Sequence, residues 1–405
     1  MEKSVGQRNP QFCRFAEKPL ITELFPSQAS VIFQLLGVDP KEDPNLRILD
    51  EIPEDNLILV HYLEPTLGSR NVRGVIIDVE RNQIVAESFP FTKEYLPSNE
   101  KAKDIPLDVS CEVTKAFEGT ILRVFRGRVT KKWYLSTHRK INGYRSRWSP
   151  GASFGQMFEE IWDTNVPWEI YMTPGNCYVF LLSHGANRLV CHIPEPCLHH
   201  VQTFEPQAGK MSATFSKLLK AHPNVRNQTI LNVETTEDLI KEAESLDWRE
   251  CSGLLVTQYS TGEVREILDC WKLVPEGYHQ RRGIRGNEPN FRFRYLQLRE
   301  EKGTNQIRTL FPEKKELFDK VEKYLKEVPG FLSELFTERY QDNKFVYLPR
   351  ELHFVLEKTH KTYDNELNLY DNLEKNMNLC NARQINAMIR EMLQDRKDQL
   401  ETKDQ

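Results

Sequence analysis

The sequence has no apolar run near the roughly 18 residues that a membrane-spanning helix requires. Its first residues, MEKSVGQRNPQFCRF, lack the apolar core of a secretory leader. No CxxC pair occurs, and the eight cysteines are scattered at 13, 111, 177, 191, 197, 251, 270 and 380. Scattered thiols fit a reducing, cytoplasmic setting rather than a disulfide framework. The densest Cys and His stretch, CHIPEPCLHH at 191–200, matches no common zinc spacing and reads as a loop, so no metal ligands are assigned. There is no internal repeat of fixed period. Net charge is also nearly absent, at −4 from 55 Lys plus Arg and 59 Asp plus Glu. As an average, that excludes a histone-like polycation.

What is present is 405 residues, 39% of them apolar. That length suits two or three domains, and that apolar content is too high for a disordered chain. Residues 1–56 read as a lead-in with short helical pieces such as SQASVIFQLLGV. Strand signals then dominate residues 57–300. LILVHYL at 57–63 is apolar and β-rich, and residues 72–89 read as two strands around a turn at 80–82. TILRVF and KWYLST form an expected hairpin; NCYVFLLS, RLVCHI, GLLVTQYS and residues 266–274 add strands. Helices are expected at 152–163, where Phe154, Met157, Phe158 and Ile161 recur at helical spacing, and at 235–246 behind a Thr235 or Thr236 cap. From 305 to 405 the helical period takes over, as in KKELFDKVEKYLKEV, RELHFVLEKTH and ARQINAMIREMLQDRK. The fold class is therefore α+β, antiparallel sheets followed by an all-helical C-terminal domain.

The average charge hides a local excess. Residues 115–148 carry ten Lys or Arg and one acid, Glu118. Phe117, Phe125, Trp133, Tyr134, Tyr144 and Trp148 are interleaved with them. Cations among aromatics suit phosphate neutralisation and base stacking, so RNA is the expected partner. A second cluster, RRGIRGNEPNFRFRYLQLR at 281–299, holds six arginines and reads as a loop followed by a strand with one basic face.

Taken in order, five segments resemble the RNA ligase branch of the covalent nucleotidyltransferase superfamily, including RNA ligase-like proteins of large DNA viruses. They are RGVIID…VAESFPFTKEY at 73–95, KAFEGT at 115–120, YVFLLSHGANRLV at 178–190, SGLLV at 252–256 and WKLVPEGY at 271–278. They look like, respectively, the strand pair before the catalytic lysine, the K-x-D-G-S motif, the central strand-loop-strand, the E-G-V-V-V strand and the closing K-x-K strand.

The resemblance implies an antiparallel-sheet nucleotidyltransferase domain with a nucleotide cleft. It implies ATP and Mg2+ as cofactors and RNA end-joining through lysyl-AMP. Lys115 would be the nucleophile, and Lys272 the cation that activates it and contacts the phosphates. Arg73, Glu118, Gly119, Phe180 and Gly253 would lie beside the nucleotide. Arg123, His138, Arg139, Lys140, Arg145 and Arg285 would contact RNA.

The chain departs from the family pattern in three places. Lys115 and Gly119 are spaced K-x-x-x-G, so aligning Glu118-Gly119 with Asp-Gly puts Ala116 at the nucleophile position. Ser252 and Val274 stand where the family has a glutamate and a second lysine. A degenerate RNA-binding protein and a capping-type guanylyltransferase using GTP are the alternative readings.

Overall fold

The computed structural model describes residues 17–403 apart from 150, 163–164, 208–209, 215–221, 223 and 346. The chain divides into two compact units, 1–280 and 281–405. No helix among the described residues is long and apolar enough to cross a membrane.

The first unit carries fifteen strands among its described residues. In chain order they are β1 (Arg47–Ile52), β2 (Leu57–His61), β3 (Arg73–Asp78), β4 (Gln83–Ala86), β5 (Lys93–Tyr95), β6 (Cys111–Ala116), β7 (Thr120–Arg126) and β8 (Trp133–Ser136). There follow β9 (Cys177–Ser183), β10 (Cys197–Gln207), β11 (Lys210–Thr214), β12 (Val225–Asn227), β13 (Ile230–Leu231), β14 (Gly253–Tyr259) and β15 (Ile267–Leu273). They build three sheets: β1-β2-β3-β4, then β11-β10-β9-β7-β8 with β12 on β10, then β13-β6-β14-β15-β5. Pairing is antiparallel except for β12 on β10 and β5 on β15. Helices α1 (Ile21–Leu24), α2 (Ala29–Leu36), α3 (Phe154–Glu159) and α4 (Thr236–Ser245) cover them.

Local chemistry explains most of these elements. Asn82 takes a positive φ of 50° and so lets β3 turn into β4. Ser153 caps α3 by accepting from the Gln156 amide, and Thr235 caps α4 by accepting from the Asp238 amide. α3 packs Phe158 and the adjoining Trp162 against Leu122, Phe180 and Leu182 of the second sheet. α4 packs Leu239 and Ala243 against Val113, Leu254 and Leu273 of the third.

α5 (Glu276–Arg285) crosses the division at 280. The second unit then holds α6 (Phe291–Glu300), α7 (Thr304–Leu310), α8 (Lys315–Phe336), α9 (Arg350–Lys361), α10 (Leu369–Met377) and α11 (Ala382–Lys403). α8 buries Phe318, Val321, Leu325 and Leu332 along one stripe, the spacing that marks it in the sequence.

Two segments differ from expectation. The basic stretch at 291–299 is helix α6, not a strand. Asn290 caps it by accepting from the Phe293 amide, and Tyr295, Leu296 and Leu298 are its buried side. RLVCHI is not a strand, because its amides turn onto a carboxylate described below. Part of the expected Cys and His loop is instead strand, since Cys197, His199 and His200 belong to β10.

One buried acid fixes the β7–β8 hairpin to the first sheet. Asp55 is fully buried and accepts from the Val129 amide (2.7 Å), the Thr130 amide (2.8 Å), the Tyr134 hydroxyl (2.6 Å) and the Thr130 hydroxyl. Burial pushes its carboxyl up, but the bonds from Thr130, Tyr134 and Val129 outweigh burial and hold it below the usual range. Asp55→Ala should therefore cost roughly 2–4 kcal/mol in urea unfolding. Because the folded value is depressed, this contribution is complete above the ordinary carboxylate pKa of about 4. It fades as pH falls through the folded value. The gap between wild type and variant should narrow on acidification in that window.

Candidate active site

The site is decided by how β6 lies against β14. In their register Lys115 is opposite Leu254 and Ala116 is opposite Gly253. On the other side of β14, Lys272 is opposite Leu255. Successive residues of a strand point to opposite faces, and directly paired residues share one. Thr114, Ala116, Leu255 and Lys272 therefore share one face. Lys115 shares the other with Leu254 and Leu273, the face that packs under α4. The two lysines expected to work together lie on opposite faces of the third sheet. Ala116, the position the Glu118-Gly119 alignment assigns to the nucleophile, is on the face of Lys272. Val274 is buried.

Ser252 fastens this register. Its amide and its hydroxyl both donate to the Ala116 carbonyl, each at 2.7 Å. Gly253 follows with φ +147°, and a side chain there would strike the Leu273 carbonyl. Both lysines nonetheless lie at the same end of the sheet. Burial raises the Cys251 thiol pKa, while the Gly253 amide and the ammonium groups of Lys115 and Lys272 pull it down.

Glu118 sits in the three-residue crossover from β6 to β7 and is only 6% exposed. Its carboxylate accepts from the amides of Leu189, Val190 (2.8 Å) and Cys191 (3.1 Å), and from the Tyr278 hydroxyl (3.0 Å). It is thus occupied by protein donors and does not face a ligand. The Lys272 ammonium lies 5.7 Å from the Tyr278 ring centre, and burial and Glu118 together push the Cys191 thiol up. Glu118 stands out in the sequence as the one acid of the basic stretch, and Tyr278 closes the 271–278 segment, but no local pattern records the bond between them. The 189–191 amides carried no sequence signal.

On the Lys272 face, Thr114 and Thr257 line a cavity of about 300 Å³ together with Val201 and Gln202 of β10. Tyr259 lines it and donates to Gln202 Oε1 at 3.3 Å, and Arg265 lies 3.5 Å above the Tyr259 ring. Arg265 is paired with Glu112 at 2.6 Å. Lys272 lies on the same sheet face as Thr114 and Thr257, which line this cavity. The donor set does not fit a protein-held divalent ion, because the Glu118 carboxylate is saturated by protein donors. Among the described residues no cluster of three metal-ligating side chains occurs.

The remaining expected site residues scatter. Phe180 is fully buried against α3, on the far side of the second sheet from the cavity, because it pairs with Leu122 of the core there. Gly119 packs against the Leu182 carbonyl, a strand contact rather than a nucleotide contact. Arg123 is fully buried and donates to the carbonyls of Gly74 and Thr137, so it cannot meet RNA. Arg285, in the second unit, is also fully buried; it donates to the Glu288 carbonyl and lies 4.1 Å from the Phe291 ring centre. Lys140 pairs with Asp50 at 3.3 Å. Arg139 and Arg145 are exposed, while Arg73 and His138 are half-buried.

No protein-family model matches the chain. Two curated relatives are the immediate-early protein ICP-46 homologs of Invertebrate iridescent virus 3 and 6. They are 28% identical over 67% of this chain and 27% identical over 73% of it. The chain spans 61% and 68% of those relatives' lengths. Among solved structures it is similar to an archaeal ATP-dependent RNA ligase. The identity is 14%, the coverage is 62% of this chain and 65% of that one, and the TM-score is 0.42.

If Glu118 is a structural clamp, Glu118→Ala should cost about 3–5 kcal/mol and Tyr278→Phe about 1 kcal/mol in urea unfolding. A carboxylate that merely lined a ligand cavity would leave both midpoints unchanged.

Proposed function

We propose that this chain is a nucleotidyltransferase-type protein of the RNA ligase kind that binds nucleotide and RNA without using Lys115 as a covalent nucleophile. The observation that carries this reading is the β6–β14 register, with Ala116 on the Lys272 face and Lys115 on the opposite one. ATP would place its base in the cavity beside Thr114 and Thr257, with its phosphates toward Lys272. Magnesium would travel with the phosphates, as is usual for that ion. RNA would follow the exposed cations Arg139 and Arg145.

Supporting this are the five ordered segments that resemble RNA ligases and the polar cavity between the second and third sheets. The absence of acid at 252 and of a second lysine at 274 removes charges that phosphoryl transfer would use.

The test is incubation with α-labelled ATP or GTP and magnesium, followed by denaturation. The expected result is no covalent label, while ATP binding by the folded protein is measurable and falls about tenfold or more in Lys272→Ala. Label that disappears in Lys115→Ala would overturn the binding reading. It would restore a ligase, or with GTP alone a capping-type enzyme. One observation favours that second reading: both ammonium groups act on the Cys251 thiol, so they lie at the same end of the sheet.

A further inference from the structure

The second unit holds a cavity of about 410 Å³ whose two sides carry opposite charge. One side is a single face of α11, where Arg383, Asn386, Ala387 and Arg390 recur at helical spacing. The other forms where α6 and α9 begin and carries Glu288, Phe293 and Glu351. Opposite charges around one cavity gain by closing on each other, yet these do not. Among the described residues neither Arg383 nor Arg390 has a hydrogen-bond or ion-pair partner, and neither has Glu351.

The other polar groups leave the same room for a guest. Glu288 commits one carboxylate oxygen to its own loop, accepting from the Asn290 amide at 2.9 Å. The Asn386 side chain lines the cavity, and its Oδ1 is buried without a donor. Ala387, small and placed between the two arginines, keeps the space open. Arg292 feels the charge of Arg390, and its Nε is buried without an acceptor. Burial first, then Arg390, hold the Arg292 guanidinium below its usual value.

Two arginines against two glutamates give the lining a dipole and no net charge. An extended polyanion gains little there, because the acids repel what the arginines attract. A molecule carrying the reverse dipole gains from both sides. We infer that this cavity binds a small zwitterion, an ω-amino carboxylate or the C-terminal lysine of a peptide, with its carboxylate on Arg383 and Arg390 and its ammonium on Glu288 and Glu351. The guanidinium fork matches a carboxylate, and an ammonium suits acids that keep oxygens to spare. The methylenes between the two charges would lie along Ala387 and the Phe293 ring. The inference is independent of the nucleotide and RNA reading of the first unit.

The experiment titrates the full chain by calorimetry at neutral pH with 6-aminohexanoate and with an N-acetylated tripeptide, Gly-Gly-Lys. Hexanoate and hexylamine, each carrying one of the two charges, are the controls, and inorganic phosphate and a short RNA are competitors. The expected result is that at least one zwitterion binds about tenfold more tightly than either control. Tighter binding of 6-aminohexanoate identifies a free small molecule, and tighter binding of the tripeptide identifies a peptide end. Arg383→Gln and Arg390→Gln should each weaken the zwitterion about tenfold. Glu351→Gln should erase its advantage over hexanoate while hexanoate binding stays within a few fold. All three variants should keep the wild-type unfolding midpoint, since no protein contact is lost. Hexanoate binding as tightly as the zwitterions overturns the inference in favour of a plain anion site. Displacement of the zwitterion by phosphate or RNA, at concentrations where hexanoate does not compete, overturns it in favour of a phosphate site. Folded protein that binds neither zwitterion overturns it outright.

Discussion

The Glu118 carboxylate ties together three pieces of backbone that would otherwise end separately. β6 leaves the third sheet at Ala116 and β7 enters the second at Thr120, with Glu118 between them. Its oxygens collect the 189–191 amides, which follow β9 of the second sheet, and the Tyr278 hydroxyl, which follows β15 of the third. A buried carboxylate without partners would be strongly destabilising, and this one is compensated by four donor groups from two segments. The crossover is therefore pinned, and with it the point at which β6 starts its alternation of faces. Ser252 secures the same point from β14 through the Ala116 carbonyl.

The basic hairpin shows how a charge counted along the chain changes in space. Arg126 pairs with Glu169 at 3.6 Å, Arg128 with Asp78 at 2.9 Å and with Glu80, and Lys140 with Asp50. Each acid lies outside the 115–148 window, so a local count misses it. Arg123 is removed from the surface altogether. For polyanion contact, where the charges lie in space matters more than how densely they run along the chain.

Much of the fold was legible because burial imposes a period on the sequence. β2, β3, β7, β9, β14 and β15 lie where apolar and β-branched residues are dense, and α8 lies where apolar residues recur at helical spacing. The capping threonine at 235 and the turn at 80–82 were equally readable. The stretch at 291–299 was misread because alternating Phe and Arg imitates a strand, while its buried residues 295, 296 and 298 fit a helix face. RLVCHI failed for a different reason: its amides bond a carboxylate some seventy residues earlier, and no local pattern records that. Phe180 was correctly placed on a strand, but strand identity does not say which face meets the cavity.

The same distinction governs Lys115. Moving it to the Lys272 face requires β6 to slip by one residue against β14. Val113 would then leave the apolar cluster under α4, forfeiting roughly 1.5–3 kcal/mol of burial. Thr114 would enter that cluster with its hydroxyl, and the Ser252 bonds to the Ala116 carbonyl would break, each adding about 1–3 kcal/mol. Glu118 would also be drawn off its donors. The position of Lys115 is thus enforced by the core, the crossover and the adjoining strand together, not by a flexible loop that a substrate could reorder. Lys272 needs no such rearrangement, since the register already gives it the cavity face.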